Sequence, residues 1–431
     1  MRDELNDAFT QALGALAGDR QLWSDFNALC DCGGRMAGSD SERRGITTAH
    51  AALGAIGRGA LSLEPVRYAG WRLDRAQLNI APDGAALACT ALVGAQSTPP
   101  QGIEAEVIDL GRGTPEQFEQ RAGEIAGRIV LVSHEYPFMA GHIHRRRKYN
   151  AAMERGAVGI IIANPVAGTG TTCGSSGRGG KAGIPAVATD WESAARLRGM
   201  TRPRVRIVIE GEDFDATTQV VVLDLPGTSD ERVVLSAHID GHHLAESAMD
   251  NATGVAGAIA IARAVAPYTA HCLRGLRVCL FSAEEWALAG SKEYLARLTP
   301  GELNRIVLNV NLDTIAGGAR LTALTSEFPA LDGFVQDAAA DIGMPLETYR
   351  PMMSNSDHYN FALQGIPALR LVAGFDDPAS NVRHILTPAD TRDKVAAGEL
   401  KASAILAAAI VWRGLNATDA EMAALKSGRQ G

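Results

Sequence analysis

The spacing of apolar residues predicts helices at the start of the chain and strands after them. Within residues 1–60, apolar side chains recur at helical spacing, namely at Leu5, Phe9, Leu13 and Leu16. Farther along, the apolar residues come in short runs such as AQLNIAP and AALACTALVG. Short runs bounded by Gly and Pro are typical of strands. We therefore expect a helical N-terminal segment that leads into a sheet.

Residues 95–208 have a pattern of their own. Two apolar runs, GRIVLVSHE and VGIIIANP, flank the helix-like segment YNAAMERGA. A loop rich in Gly and Ser follows, and then a further strand-like run, IPAVATD. This order of strand, helix, strand and strand predicts a distinct, smaller module rich in β-structure.

From Gln219 onward, strand-like and helix-like segments alternate. The runs RVVLSAH, LRVCLFS, IVLNVNLD and IPALRLV are almost continuously apolar, and segments such as TGVAGAIAIARAVA separate them. Continuous apolar runs are typical of strands buried on both faces. The pattern predicts an α/β fold, with a mixed but mostly parallel sheet flanked by helices. The Pro-Gly turn after VVVLDL predicts that this strand and RVVLSAH are neighbours.

Composition and charge exclude some classes of protein. The chain has 431 residues, enough for two domains, with 46% hydrophobic and 21% charged residues, as in an ordinary globular protein. The formal net charge is −8 and the pI is about 5.7. An acidic chain offers no footprint for nucleic acid or for an anionic membrane surface, so neither is an expected partner.

From the start of the sequence we expect no signal for export. Its first residues, MRDELNDAF, lack the basic and apolar regions of a secretory signal, and no apolar run approaches the roughly 18 residues of a membrane span. The six cysteines are scattered, so we expect free buried thiols rather than a disulfide framework. These features together predict a cytoplasmic protein.

Residues of the types that bind metals gather at the carboxyl ends of the predicted strands. They are His238, Asp240, Asp250, Glu284, Glu285 and Asp313, with His384 in a late loop. In open α/β sheets, ligands bind at this edge because loops and helix N-termini converge there. Any one of these residues alone is ordinarily a cap or a solvated loop residue, and an acidic pair that opens a helix ordinarily complements its dipole. Their coincidence at one edge favours a functional site.

The ligand types indicate a hydrolytic metal site. Two imidazoles and three carboxylates suit zinc or another borderline divalent ion, and one carboxylate would bridge a pair of ions. Metal-bound water would attack as hydroxide, and a neighbouring carboxylate would pass its proton to the leaving nitrogen. The pair Glu284–Glu285 provides one carboxylate for the metal and one for the proton. Asp240 is expected to accept a hydrogen bond from the second ring nitrogen of His238.

Six segments resemble, in order, the motifs of the co-catalytic zinc exopeptidases. CGGRMAGSDSERRG resembles their GGRxxGS region, AHIDGHHLAESAMDNATG their GAHxDS…GADDNASG signature, and FSAEEWALAGSKEY their EExGLxGS motif. NLDTIAG is similar to the next strand end, SDHYNFALQGIPAL to SDHxxF…GIPA, and RHILTPADT to the closing YHTxxDT. The family includes bacterial aminopeptidases, glutamate carboxypeptidase, carboxypeptidase Q and the non-enzymatic transferrin receptor. The resemblance spans nearly the whole chain.

The resemblance implies a role for each ligand and an order of domains. The implied metal ligands are His238 and Asp313 on one ion, Glu285 and His384 on a second, and Asp250 between the two. Glu284 would be the general base, and Asp240 would orient a ligand. The expected cofactor is two divalent ions, in the first place zinc, while manganese, cobalt or a single ion stay open. Residues 95–208 resemble an inserted protease-associated (PA) domain, so residues 1–94 and 209–431 would form the catalytic domain.

Departures from the family's motifs bear on the substrate. Arg383 stands where the family often has Tyr. Its guanidinium would stabilise the oxyanion, bind a substrate carboxylate, or pair with a local acid such as Asp390 or Asp393. His242 and His243, after the first ligand, would either line the pocket or serve the structure.

Two further segments bear on the surroundings of the site. Asp357 and His358, in SDHYNF, are expected to support the substrate pocket rather than to bind metal. The basic cluster HIHRRRKYN, from His142 to Asn150, is expected to be a solvated helix face. The alternative for this cluster is contact with an anionic substrate or with a partner subunit.

The leading hypothesis is a metal-dependent hydrolase that cleaves an amide C–N bond, most simply an aminopeptidase or dipeptidase acting on a small peptide. A hydrolase of a non-peptide amide or amine in a catabolic pathway is the first alternative. A catalytically silent binding protein is the second, and the intact ligands and base argue against it. The sequence leaves the oligomeric state open, a homo-oligomer included.

Overall fold

The computed structural model describes residues 2–82 and 84–426. In this part of the chain the α-helices are α1 (Arg2–Gly18), α2 (Gln21–Asp31), α3 (Asp40–Gly54), α4 (Pro115–Gln120), α5 (Ala122–Ile125), α6 (Arg145–Glu154), α7 (Trp191–Arg198), α8 (Thr253–Val265), α9 (Ala289–Arg297), α10 (Pro300–Arg305), α11 (Pro329–Ala340), α12 (His358–Leu363), α13 (Ala397–Asn416) and α14 (Asp419–Lys426). None of the helices formed by these residues has the length and the apolar composition to cross a membrane.

The strands belong to one continuous sheet. They are β1 (Ala60–Ala81), β2 (Ala86–Leu87), β3 (Thr90–Ala91), β4 (Ile103–Asp109), β5 (Ile129–Ser133), β6 (Gly159–Ala163), β7 (Ala186–Thr189), β8 (Arg204–Leu225), β9 (Arg232–His238), β10 (Gly275–Phe281), β11 (Ile306–Leu312), β12 (Leu321–Leu324), β13 (Glu347–Tyr349) and β14 (Ala368–Ala373). Their order across the sheet is β13-β12-β14-β11-β9-β10-β8-β4-β5-β6-β7-β3, and β1 pairs with β2 and β8.

The centre of the sheet is parallel. β9 runs parallel to both β10 and β11, and β11 runs parallel to β14. β8 and β12 reverse direction against β10 and β14. Helices flank these strands, and twelve of the thirteen residues of α8 are buried. The expected α/β fold, with a mixed and mostly parallel sheet, is confirmed.

The predicted pairing of β8 with β9 is wrong, because β10 lies between them. Val278 of β10 is aligned with Leu223 of β8 on one side and with Leu235 of β9 on the other. A Pro-Gly turn reports only that the chain reverses direction. Which strand fills the space next to β9 is decided by packing, and β9 takes parallel neighbours on both sides.

The carboxyl ends of the central strands are drawn together by close packing of α8. A Cβ at Gly254, in the first turn of α8, would lie 2.2 Å from the carbonyl oxygen of Leu312, the last residue of β11. A residue without a side chain is therefore required where the helix crosses the strand end.

All six cysteines are free thiols, and five of them are buried.

Two long strands carry the sheet into a second layer. β1 and β8 pair antiparallel along nearly their whole length. The C-terminal end of β8 pairs with β10 and its N-terminal end with β4, which opens the parallel set β4-β5-β6-β7. This second layer has its own core, which includes Val130, Ile161 and Val187. The domain boundaries at residues 95 and 208 stay a prediction.

Candidate metal centre

His238, the last residue of β9, presents one ring nitrogen to two carboxylates. Its Nδ1 lies 3.0 Å from the carbonyl oxygen of Asp240 and donates a hydrogen bond to it. Its Nε2 has no hydrogen-bond partner, although it lies 3.2 Å from Asp250 Oδ1 and 3.5 Å from Asp313 Oδ1. The side chain is 1% exposed. A buried nitrogen lone pair this close to two carboxylates is unfavourable unless a cation lies between them.

Asp313 follows β11 and is kept ionised by a buried arginine. Arg370, on the neighbouring strand β14, places Nη2 3.1 Å from Asp313 Oδ2. Burial alone would raise the pKa of this carboxyl, but Arg370 and His238 outweigh it and hold the pKa below its ordinary value. Arg370 is not among the site residues predicted from the sequence, although an arginine inside the apolar run ALRLVA was the available signal.

Asp240 anchors the acidic pair with its side chain. Its two carboxylate oxygens accept hydrogen bonds, each 3.1 Å long, from the backbone N–H groups of Glu284 and Glu285. The carboxylate is 3.7 Å from Nδ1 of His238, so the shorter contact to the imidazole is made by the Asp240 carbonyl. The predicted contact between Asp240 and His238 therefore runs chiefly through the main chain.

The acidic pair sits in a tightly turned segment after β10. Ala283, Ala287 and Leu288 all have positive φ angles, between 59° and 65°, which residues with a Cβ rarely adopt. Burial raises the pKa of both glutamate carboxyls, that of Glu285 to about 8. Repulsion from Glu285 contributes to the increase at Glu284. A carboxyl with a raised pKa suits proton transfer near neutral pH.

Asp250 is positioned by Asp390, which the sequence offered as one possible partner of Arg383. The carboxylate of Asp390 accepts hydrogen bonds from the backbone N–H groups of Met249, at 2.8 Å, and Asp250, at 3.3 Å. Asn251 then joins this loop to the next strand end, since its side chain donates to Leu312 and accepts from the N–H of Thr314. Asp390 is thus engaged with backbone amides and is not a partner of Arg383.

A fully buried arginine near the N-terminus holds the loop between His238 and Asp250. Arg35, in the segment GGRMAGS, donates hydrogen bonds to five main-chain carbonyls, those of Leu29, Gly33, Ile239, Glu246 and Ser247. Three of these acceptors lie in the loop after β9. The motif that contains Arg35 was recognisable in the sequence, but the role of this side chain was not predicted.

These residues line one cleft, and their donor set fits a divalent cation. Four carboxylates line the cleft, those of Asp250, Glu284, Glu285 and Asp313. His238, Glu284 and Asp313 each offer one ligand atom within 4.8 Å of one another. Imidazole nitrogen and carboxylate oxygens are the donors that zinc prefers beside thiolates. The division of roles between Glu284 and Glu285 stays a prediction.

His384 and Arg383 lie beside the cleft but contact each other. The Nε of Arg383 donates a 3.3 Å hydrogen bond to Nε2 of His384, while the Nδ1 of His384 is buried without a partner. The close group formed by His238, Glu284 and Asp313 does not include His384. Arg383 is exposed and also donates to the carbonyl of Ala379.

Of the alternatives for Arg383, pairing with a local acid does not occur in the described part of the chain. Its recorded partners are His384 and the carbonyl of Ala379. Asp393 forms an ion pair with Lys394, and the carboxylate of Asp390 is turned inward onto backbone amides. Packing directs each acid to a partner that lies closer than the arginine.

The two histidines after the first ligand have different surroundings, and neither lines the cleft. His242 is buried; its N–H donates to Ser247 Oγ and its Nδ1 accepts from the N–H of Leu244. Burial lowers the pKa of its imidazole to about 3. His243 lies in a separate surface groove, 3.3 Å from the hydroxyl of Thr90. The structural alternative fits His242 better than contact with a substrate.

Asp357 and His358 are fully buried at the start of α12, behind the cleft. Burial raises the pKa of Asp357 to about 7 and lowers that of His358 to about 3. Asn355, two residues earlier, lines the cleft and accepts a hydrogen bond from Arg370 through its carbonyl. Their predicted part in supporting the pocket stays a prediction.

The basic cluster from His142 to Asn150 is not a solvated helix face. Lys148 is buried and donates to the carboxylate of Glu135. Arg145 is 8% exposed, and both Arg145 and Arg146 line the cleft opposite its carboxylates. The prediction failed because the second layer folds over the cleft, a contact that helical periodicity cannot reveal.

Models of two known families match the chain. The model described as peptidase family M28 matches residues 220–411, and the model described as PA domain matches residues 85–197. The probable lipoprotein aminopeptidase LpqL of Mycobacterium tuberculosis is 27% identical over 300 residues, which are 64% of this chain and 58% of that protein. Carboxypeptidase Q of Homo sapiens is 25% identical over 276 residues, 61% of this chain and 58% of that protein. The aligned part of the chain thus spans 58% of each relative's length.

Solved structures have the same fold over nearly the whole chain. The peptidase M28 precursor from Shewanella amazonensis superposes with a TM-score of 0.78 at 24% identity, covering 97% of this chain and 98% of that one. A zinc aminopeptidase from Bacillus subtilis superposes with a TM-score of 0.71 at 23% identity, covering 95% of both chains. Residues 220–411 are thus similar to peptidase family M28, and residues 85–197 to a PA domain.

Proposed function

We propose that this chain is a metal-dependent aminopeptidase that acts on short peptides. One observation carries the proposal: four carboxylates line one cleft, and the buried Nε2 of His238 lies 3.2 Å from Asp250 and 3.5 Å from Asp313 without a hydrogen-bond partner. The names of the relatives, an aminopeptidase and a carboxypeptidase, support peptides as the substrate class. They do not favour a non-peptide amide hydrolase or a silent binding protein.

The protein's own side chains would hold the cofactor and move the proton. His238, Asp250 and Asp313 would bind a divalent ion, which supplies the positive charge that polarises the scissile carbonyl and acidifies a water molecule. Glu284 takes the proton of the attacking water and returns it to the leaving nitrogen. Asp240 keeps Glu284 in place through the backbone hydrogen bond to its N–H group.

The number and kind of ions are part of the proposal. Zinc is the first candidate, because the Bacillus subtilis structure is that of a zinc aminopeptidase and the donors here are nitrogen and oxygen. Glu285 and His384 would hold a second ion. His384 Nδ1 is buried without a hydrogen bond, which leaves a donor atom available for that role.

The cytoplasmic location and the oligomeric state stay predictions.

The metal content of the purified protein tests the proposal. We expect about two equivalents of zinc per chain, and cleavage of unblocked dipeptides and aminoacyl anilides that stops after chelation and returns with zinc. One equivalent would support the His238 site and remove the second ion from the proposal. Cleavage that persists in fully chelated, metal-free protein would overturn it.

A further inference from the structure

Two arginines of the PA domain face the carboxylates of the metal centre. Arg145 and Arg146 are the first two residues of α6, and both line the cleft that contains Asp250, Glu284 and Asp313. They come from the second layer of the sheet, whereas the carboxylates come from the first. The cleft therefore has an acidic floor and a basic wall.

Arg145 is held in a fixed orientation. Its Nε donates a 3.1 Å hydrogen bond to the carbonyl of Ser175, and the guanidinium lies against Gly174, where a Cβ would come within 2.1 Å of its Cζ. The absence of a side chain at Gly174 makes room for the arginine. Within the described part of the chain, its two terminal nitrogens have neither a hydrogen bond nor a carboxylate within 4.0 Å.

Arg146 is placed in a similar way. Its aliphatic carbons pack on Gly177, where a Cβ would lie 2.5 Å from Cδ. Its backbone N–H donates to His144, but its guanidinium has no hydrogen bond or ion pair among the residues that the structure describes. The next arginine, Arg147, is exposed and does not line the cleft.

Arg370, the third arginine that lines the cleft, is already paired with Asp313 at 3.1 Å. Two adjacent guanidinium groups without such a partner repel each other, and their partial burial adds a desolvation penalty to the free energy of the folded state. A site of this kind is stabilised when an anion binds, and a planar guanidinium matches a carboxylate with two parallel hydrogen bonds.

We propose that Arg145 and Arg146 bind a carboxylate of the substrate, so that the cleft selects short peptides with an anionic group next to the scissile bond. This inference rests on the proposed peptidase function. Two sources provide the same chemistry, the C-terminal carboxylate of a dipeptide and an acidic side chain after the cleaved bond.

Matched peptides separate these two sources in zinc-loaded protein. Leu-Ala is compared with Leu-Ala-amide for the C-terminal carboxylate, and Leu-Glu-amide with Leu-Gln-amide for the side chain. For at least one pair we expect KM of the anionic peptide to rise roughly 10- to 100-fold in Arg145→Gln and Arg146→Gln, the range for losing charge-assisted hydrogen bonds. KM of the neutral partner should change less than about 3-fold, and Arg147→Gln is the matched control. Equal effects on both members of every pair, or no effect, would overturn the inference.

A binding measurement separates this inference from the peptidase proposal. Calorimetric titration of the same peptides into zinc-loaded Glu284→Gln protein measures recognition without requiring cleavage. We expect the anionic peptide to bind roughly 10- to 100-fold more tightly, an advantage lost on adding Arg146→Gln and kept on adding Arg147→Gln. If the wild-type protein cleaves no peptide but this preference is present, only the proposed function fails. If cleavage occurs without the preference, only the carboxylate site fails.

Folding of the variants is checked independently. Arg146 makes no side-chain hydrogen bond, so its replacement by Gln is expected to leave the melting temperature within about 3 °C of wild type. Arg145 packs more deeply, and Arg145→Lys keeps its charge while removing the planar fork. Partial recovery of KM in Arg145→Lys relative to Arg145→Gln would support a contact with the carboxylate. A KM unchanged between the two would point to a purely structural role.

Discussion

Asp240 shows how one residue serves two parts of the metal centre. Its carbonyl accepts from Nδ1 of His238, which leaves Nε2 without a proton in the neutral ring and therefore able to bind a cation. Its carboxylate fixes the backbone of Glu284 and Glu285. A single aspartate thus orients an imidazole ligand and the acidic pair relative to each other, as residues around metal ligands commonly do.

Glu284→Gln tests the proposed base. The amide has nearly the same shape but cannot accept a proton from water at neutral pH. We expect kcat on a cleaved peptide to fall by about two to four orders of magnitude, with zinc content largely retained. Steady-state kinetics and metal analysis on the same preparation measure both quantities. Near-normal turnover would show that another group transfers the proton.

Replacing Arg35 tests how the loop after β9 is held. Arg35→Met leaves the carbonyls of Gly33, Ile239 and Glu246 without a donor, while those of Leu29 and Ser247 keep backbone N–H donors. Each unsatisfied buried acceptor costs about 1–3 kcal/mol, less what relaxation and water recover, so we expect a loss of at least 3 kcal/mol. Urea unfolding measures it. Arg58→Met, at an exposed arginine, should change stability by no more than about 0.5 kcal/mol.

The buried imidazole of His242 makes stability depend on pH. Its pKa is about 3 in the folded protein, below the unfolded value of about 6.5, so the unfolded chain binds the proton first as the pH falls. The free energy of unfolding should therefore fall by about 1.4 kcal/mol per pH unit between pH 6.5 and the folded pKa because of this group. Above pH 6.5 its contribution is complete.

The comparison with His242→Asn isolates this contribution. Asn retains an acceptor for the N–H of Leu244 but does not titrate in this range. Urea unfolding of chelated protein between pH 7 and 5 should show a shallower acid loss in the variant than in the wild type. His271→Asn, at an exposed histidine, should follow the wild-type curve. Parallel curves for wild type and His242→Asn would contradict the assignment.

At the scale of elements, the metal centre depends on how closely α8 approaches the end of β11. Asn251 spans this contact with hydrogen bonds to Leu312, Gly254 and Thr314. The two proposed ligands Asp250 and Asp313 flank it. The separation of the two carboxylates is thus set by a helix packing on a strand end.

Gly254→Ala tests this packing. The added Cβ would lie 2.2 Å from the carbonyl of Leu312 and 2.3 Å from the side chain of Asn251, so α8 must shift. We expect a loss of about 1–3 kcal/mol in stability and weaker zinc binding. Gly333→Ala in α11, where a Cβ meets nothing within 4 Å, should be neutral or stabilising by up to about 1 kcal/mol. Unfolding curves and zinc titrations that match wild type in Gly254→Ala would refute this account.

At the scale of the whole molecule, the PA domain forms part of the wall of the metal cleft. Arg370 of the main sheet contacts Asp313 on one side and stacks over the ring of Phe138, in the second layer, at 4.6 Å. Tyr136, in the PA domain, also contacts the main sheet, because its hydroxyl donates a hydrogen bond to the carbonyl of Gly374. The two layers thus meet at the site itself.

Removing metal should loosen this whole arrangement. Without a cation, the buried carboxylates of the cleft repel one another. An ion that binds only the folded state, at about 1,000 times its Kd, stabilises by roughly 4 kcal/mol. We therefore expect chelation to lower the melting temperature by several degrees and added zinc to restore it, as measured by scanning calorimetry. An unchanged melting temperature after verified metal removal would argue against a buried metal site.

The sequence by itself determined the class of fold and the principal residues of the cleft. Continuous apolar runs report strands buried on both faces, and parallel strands end at the same edge of a sheet. His238, Glu284, Glu285 and Asp313 follow such runs, so they had to meet wherever the strands packed side by side. This inference needs only local pattern, because burial and chain direction are properties of each element alone.

Only the tertiary structure decided which elements are neighbours. The insertion of β10 between β8 and β9 and the inward turn of Asp390 join residues far apart in the chain. The basic wall of the cleft arises in the same way, because the PA domain brings Arg145 and Arg146 over carboxylates more than 100 residues away in sequence. Periodicity shows that a side chain is buried or paired, but not with which partner, since the partner is selected by packing among all elements at once.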